Sequence, residues 1–234
     1  MHVFEFEDAS WFPPFLRRAV TDLIVVANRT FGVTAAIEGL IRRIHSDAPL
    51  QRIVDLGSGT GGSMPEVITR LRQEGHDLSL VLTDLYPNVA AMTRFEHGTV
   101  PGVAYHAEAL DATACGAMSA DLYTMVNGFH HMTPDEAGAI LCSAVESKTP
   151  ILIVEVADNR LPFWVWLAFL PLGFFVNTVM ALLFTLQIRP ISVSRLFFTY
   201  CVPIIPFFFA WDGQASYPRI YGFDDLDRLV STLE

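Results

Sequence analysis

Folding of this chain is constrained most by the stretch Val54-Asp55-Leu56-Gly57-Ser58-Gly59-Thr60-Gly61-Gly62. The apolar Arg52-Ile53-Val54 reads as a strand that runs into an acid and then into a glycine-rich turn. Beyond the turn, Pro65 to Leu71 reads as a helix. Glycines there remove the Cβ atoms that would keep a ligand off the backbone, and a following helix presents free N–H groups. A nucleotide-like ligand is expected at this turn.

The turn by itself is ambiguous. Gly57, Gly59 and Gly62 satisfy G-x-G-x-x-G, which also marks dinucleotide-binding folds. Two features point away from a nicotinamide enzyme. Asp55 stands two residues before the first glycine, where a carboxylate disfavours a pyrophosphate and suits a cationic ligand. A long segment also precedes the motif, whereas dinucleotide folds usually begin near it. Three more segments follow in order. Leu80-Val81-Leu82-Thr83-Asp84-Leu85 is an apolar strand ending in an acid, Tyr105-His106-Ala107-Glu108-Ala109-Leu110-Asp111-Ala112 carries a third acid, and Asp121 to Met132 closes in Asn127-Gly128-Phe129-His130-His131. Each alone reads equally well as an acid capping a turn. As an ordered set they resemble the class I S-adenosylmethionine (SAM) methyltransferases.

That resemblance implies a set of roles. Asp55, Gly57, Ser58, Gly59 and Gly61 would face the positively charged methionine end of SAM. Asp84, followed by Leu85, would accept hydrogen bonds from the ribose hydroxyls, Asp111 and Ala112 would meet the adenine, and Asn127 would orient a ligand through its amide. Methyl transfer from a sulfonium is an in-line displacement that rests mainly on positioning; a base is needed only for a weakly acidic or protonated acceptor. His130 and His131 are the best-placed bases, although neighbouring side chains on a tight turn seldom both enter one pocket. Asp212 reads as functional because Trp211-Asp212-Gly213 interrupts a very apolar stretch and burying an unpaired carboxylate is costly. Glu155, Tyr217 and Arg219 are weaker candidates of the same kind. No metal is expected, since no acid follows the fourth strand to join an oxygen cluster.

Alternating strands and helices predict an α/β fold, a doubly wound, Rossmann-like, mainly parallel sheet with ligand at the carboxyl ends of its strands. Expected strands lie near 51–56, 78–84, 102–107, 121–127 and 150–156, with helices at 63–74, 87–97 and 134–146. Thr133 is an N-cap before Pro134 and two acids. The chain divides by sequence into a helical segment 1–48 that folds as a lid or packs on the sheet edge, a SAM-binding core 49–160, an apolar helical insert 161–211, and a core segment 212–234. Within the first segment, Phe15 to Arg43 keeps helical spacing throughout. The helix and strand pair that normally close a class I sheet shrink here to one helix near 222–230.

Composition narrows the partners. The 234 residues carry a formal charge of −10, which argues against nucleic acid because phosphate binding needs a basic surface. Cys115, Cys142 and Cys201 are odd in number and scattered, fitting a reducing compartment with neither a disulfide framework nor a zinc site. The acidic start, Met1 to Asp8, has no signal-peptide n-region. A cytoplasmic protein is expected, with the inner face of the membrane as a further location.

Hydrophobic residues make up 52% of the chain, and the excess lies late. Leu161 to Gln187 carries no charge, and after Arg189-Pro190-Ile191-Ser192-Val193-Ser194-Arg195 a second apolar run extends from Leu196 to Trp211. Thr199-Tyr200, Pro203, Pro206 and Trp211-Asp212-Gly213 resemble an insert in a little-characterised branch of the same methyltransferases. Full membrane spanning is disfavoured by Pro162, Pro171 and Gly173 in the first run, by Pro203 and Pro206 in the second, and by Arg189 and Arg195 on the outer side. A hairpin dipping into one leaflet ranks slightly above a soluble cap or a homodimer surface. Both favoured arrangements imply a small apolar or lipid-like acceptor. Three alternatives stay open: an NAD(P)-dependent oxidoreductase, a non-catalytic SAM-binding protein held at a membrane, and non-methylating SAM chemistry.

Overall fold

The computed structural model describes residues 3–9, 11–157 and 162–231. Its regular elements are α1 (Pro14–Thr30), α2 (Val33–Asp47), β1 (Arg52–Asp55), α3 (Met64–Gln73), β2 (Ser79–Leu82), α4 (Val89–Arg94), β3 (Val103–Tyr105), β4 (Leu122–Val126), α5 (Pro134–Glu146), β5 (Ile151–Val154), α6 (Phe163–Thr185), α7 (Val193–Leu196), α8 (Ile204–Ala215) and α9 (Phe223–Ser231). They divide into two compact units, Met1–Thr30 with Ala157–Gly222 and Phe31–Val156 with Phe223–Glu234.

The second of these units is a Rossmann-like α/β fold. Its sheet has the order β3-β2-β1-β4-β5, and every pair is parallel. Fully buried Ile53, Val54, Leu80, Leu82 and Leu122 form its centre. Ile37 and Ile41 of α2 and Val67, Ile68 and Leu71 of α3 complete that core. Strand starts are tied by Asp121, whose carboxylate accepts the backbone N–H groups of Gln51 and Arg52, both at 2.8 Å. Helix α5 opens with the expected cap: Thr133 Oγ1 accepts the Glu136 N–H, and the Glu136 carboxylate accepts the Thr133 N–H at 2.8 Å. Because the chain steps from β1 to β2 and β3 on one side and to β4 and β5 on the other, the crevice at the carboxyl end of β1 is the topological switch point.

The other unit is helical. Phe12, Leu16, Leu23 and Val26 pack with Ala181, Phe184, Ile188, Ile205 and Phe209 into a separate apolar core. Helix α6 runs unbroken through Pro171. By length and composition it is the one single helix among the described residues that could cross a membrane. A π-helical turn, Phe197–Cys201, leads to α8, whose start follows Pro203.

These units depart from the sequence segments at two places. The helical run expected from Phe15 to Arg43 breaks at Gly32, which takes φ +78°, so α1 belongs to the helical unit and α2 to the sheet unit. Residues 212–222 also fall in the helical unit, and only α9 returns to the sheet unit.

Candidate functional site

The parallel register sets Asp55 beside Leu82 of β2 and Thr124 of β4. Its carboxylate is buried and accepts the hydroxyls of Ser58 and Thr124, each at 2.6 Å. Burial pushes its pKa up to about 6, outweighing the two hydrogen bonds, and nearby Asp84 adds to the rise. Ser58 and Thr83 join β2 to this acid's neighbourhood: the Ser58 N–H donates to Thr83 O at 2.8 Å, and the Thr83 hydroxyl donates to Asp55 O at 2.8 Å. The turn is therefore stapled to the end of β2.

Two kinds of glycine make up that turn. Gly59 (φ +53°) and Gly62 (φ +54°) have nothing within 4 Å of where a Cβ would stand, so they border open space. Gly61 (φ +111°) is different, because a Cβ there would lie 2.8 Å from Phe95. Packing against Phe95 and Leu82 is by itself a reason for a glycine at position 61. Gly57 (φ +65°) meets Met125 at an ordinary 3.6 Å.

Gly59 is gripped on both sides. Its N–H donates to the Asp84 carboxylate at 2.8 Å, and its carbonyl accepts the Tyr105 hydroxyl at 2.9 Å. The other Asp84 oxygen accepts the Tyr86 N–H at 2.8 Å. Tyr105 also accepts the Asn88 N–H at 3.2 Å, and burial pushes its pKa up to about 12. Leu85 is exposed beside Asp84. The loop after β3 returns to this place through Leu110, whose N–H donates to Asp84 O at 3.0 Å. One residue on, exposed Asp111 accepts the Thr113 N–H at 2.9 Å and caps the short helix opened by Ala112.

At the end of β4, Asn127 takes φ +53°, and its N–H donates to Val154 O at 2.8 Å. The next turn, Phe129–His131, buries His130. Glu155, just past β5, accepts the His130 backbone N–H at 3.1 Å and sits 2.7 Å from Nδ1. An ionised carboxylate only accepts, so Nδ1 carries the proton and Nε2 is the basic nitrogen. His131 lies against His130 with ring centroids 4.3 Å apart.

Asp212 has a structural occupation in the helical unit. Its two oxygens accept the N–H groups of Phe6 at 2.8 Å and Glu7 at 3.2 Å, which caps the short helix Phe6–Asp8. The carboxylate is thus paired, and the catalytic expectation had rested on its being buried without a partner. Buried Arg219 similarly meets Glu5 at 3.2 Å and Asp8 at 2.7 Å.

Sequence reasoning missed Thr124 and Tyr105 as groups that hold the site, and it ranked Glu155 only among the weaker candidates. Thr124 had a signal, the one aliphatic hydroxyl inside Leu122-Tyr123-Thr124-Met125-Val126. So had Glu155, which ends the apolar Ile151–Val154 run. An open depression of about 620 Å³ between the Ala112–Ala117 turn and α5 contains none of Asp55, Asp84 and His130.

No family model matches the chain. A stretch of 72 residues, 31% of this chain, is 32% identical to the non-reducing polyketide synthase tazA of Aspergillus terreus and spans 3% of its length. Among solved structures, TnmH is 24% identical with a TM-score of 0.40, over 66% of this chain and 47% of that chain. These are distant likenesses and assign no reaction.

Proposed function

We propose that the Rossmann-like unit binds S-adenosylmethionine and transfers its methyl group to a small apolar or lipid-like acceptor. The observation that carries this reading is the pairing of a buried carboxylate, Asp55, with a turn whose Gly59 and Gly62 border open space at the sheet's switch point. A pyrophosphate beside Asp55 would meet like charge, whereas a sulfonium and an amino group would be attracted to it. Asp84 suits a ribose in either cofactor class and does not discriminate. Asp55 is the group that does.

The cofactor would supply an electrophilic methyl group. Asp55 and the Gly57–Gly59 backbone hold the charged end, Asp84 and Leu85 the ribose, and Asp111 and Ala112 the base side, while the Asn127 amide orients the bound molecule. His130 takes a proton at Nε2 from an acceptor hydroxyl or ammonium, and Glu155 fixes the ring that does so. Alignment alone supplies much of the rate, with effective molarities of about 10⁵ M or more in well-oriented systems.

Calorimetry tests the cofactor. Heat with SAM or S-adenosylhomocysteine and none with NADH or NADPH supports the reading; the reverse assigns an oxidoreductase. Tight SAM binding with no S-adenosylhomocysteine formed from any apolar hydroxyl or amine acceptor would leave a non-catalytic binding protein.

A further inference from the structure

Helix α6 is apolar over most of its circumference, yet among the described residues one side of it is packed and the other exposed. At 100° per residue, Trp166, Gly173, Asn177, Ala181, Phe184 and Ile188 share one side, and it is here that α8 and α1 pack. Trp166 donates its indole N–H to Gln214 O at 3.1 Å. Gly173 lies directly under the Gln214 amide, and a Cβ on Gly213 would stand 2.9 Å from Asn177 Nδ2. Each helix thus offers a glycine to the other's amide side chain, the small-residue and polar packing that joins helices in lipid.

The opposite side carries Trp164, Leu172, Phe175, Val176 and Leu183, all exposed. This side extends the length of a 23-residue helix, about 35 Å. No charge occurs between Leu161 and Gln187. The polar side chains of α6 other than tryptophan are Asn177, Thr178 and Thr185. Asn177 faces Gly213, Thr178 donates to Phe174 O of its own helix, and Thr185 meets Thr199. The outward side therefore has almost nothing with which to form the hydrogen bonds and polar rim of a protein interface.

We infer that the helical unit seats on a lipid bilayer through this outward side of α6, lying in one leaflet. Charged groups decide the orientation, beginning with those of helix α1. It packs through Leu16, Val20 and Leu23 on the inner side of the hairpin and carries Arg18 and Asp22 elsewhere on its surface, the latter paired with Arg195 at 2.9 Å. A bilayer crossed end to end by α6 would also take Asp212, next to the Gly213 that faces Asn177 in mid-helix, into hydrocarbon, at high cost. An in-plane seat leaves α1 in water and places Trp164 at the headgroup level, where tryptophan is favoured.

Flotation of the full chain with phosphatidylcholine vesicles tests the inference. The chain is expected to float with vesicles. Because the contact is apolar, partitioning should change less than about twofold on adding anionic lipid or salt. Substitutions L172D and V176D together, at exposed positions, should lower the partition coefficient tenfold or more with circular dichroism unchanged. Quenching of tryptophan fluorescence in the unaltered chain, lost in W164F, should be stronger from nitroxides near the headgroups than from those at the bilayer centre. The inference is overturned by a chain that stays unbound, by binding that ignores the double substitution, or by deeper quenching. A dimer in solution that the same substitutions dissociate would instead assign this side to a second copy.

Discussion

Glu155 holds His130 at two points, the backbone N–H at 3.1 Å and Nδ1 at 2.7 Å, although 25 residues separate them in sequence. Parallel pairing of β4 with β5 brings the two strand ends together, so the clamp follows from sheet topology rather than from a local motif. Both side chains are largely buried, so the bond is little weakened by water. The arrangement sets the ring's tautomer before any acceptor arrives.

Replacing the clamp separates positioning from proton transfer. His130→Gln is expected to lower kcat by about 10²–10⁴-fold with a hydroxyl acceptor while SAM affinity holds. Glu155→Gln keeps the shape but accepts and donates differently, and a fall of about 10–10²-fold is expected. Steady-state formation of S-adenosylhomocysteine, with calorimetry for SAM, checks both. Loss of SAM binding in either variant would move the pair to the cofactor side.

Asp55 predicts how binding depends on pH. Its pKa is raised from 3.8 to about 6 by burial, so the folded chain holds this proton more tightly than the unfolded chain does. Stability should therefore fall as pH rises from about 4 to 6 and level off above, the whole shift corresponding to about 3 kcal/mol. A positively charged ligand favours the ionised carboxylate, so SAM affinity should rise over the same window. Asp55→Asn is expected to flatten the binding profile, to reduce the stability profile to the share that Asp212 contributes in the same window, and to weaken SAM binding. Urea denaturation and calorimetry at pH 5, 6 and 7 give the test.

The strand and turn positions were legible because an apolar run ending in an acid has one natural place in a parallel sheet, at the carboxyl edge. Asp55 and Asp84 followed from that rule, and the Thr133 cap from the local run Thr133-Pro134-Asp135-Glu136. Three features were not legible, each for its own reason. The break at Gly32 was hidden because apolar spacing continues across it, and only its positive φ ends the helix. Pro171 read as an interruption, yet a proline removes one helix hydrogen bond and the many remaining turns of α6 carry it. Tyr105 acts through partners distant in sequence, and contact at that range leaves no local pattern; of Glu155 the place at the end of β5 was legible and only its partner was hidden.

Two glycines in one turn should respond differently to a methyl group. Gly61→Ala sets a Cβ 2.8 Å from Phe95 at φ +111°, and a loss of about 2 kcal/mol or more is expected. Gly59→Ala enters open space at φ +53°, so a loss of about 1 kcal/mol is expected, with a larger loss in SAM affinity because the new methyl occupies ligand space. Chemical denaturation together with SAM titration distinguishes the two. Equal stability losses would mean that the packing under the turn yields.

Asp212 should behave as a structural acid. Its carboxylate caps the Phe6–Asp8 turn, and burial pushes its pKa up to about 6. Asp212→Ala leaves two backbone N–H groups without this acceptor, at an expected cost of about 1–3 kcal/mol in stability. Asp212→Asn keeps one carbonyl oxygen to accept from Phe6 or Glu7 and should recover part of that loss. Measured per folded molecule, methyl-transfer kcat is expected to stay within about threefold in both variants, well short of the losses that removing a proton-transfer group brings. Thermal denaturation and single-turnover assays read the two effects separately. A hundredfold loss of kcat in a fully folded Asp212→Asn chain would return this carboxylate to the chemistry.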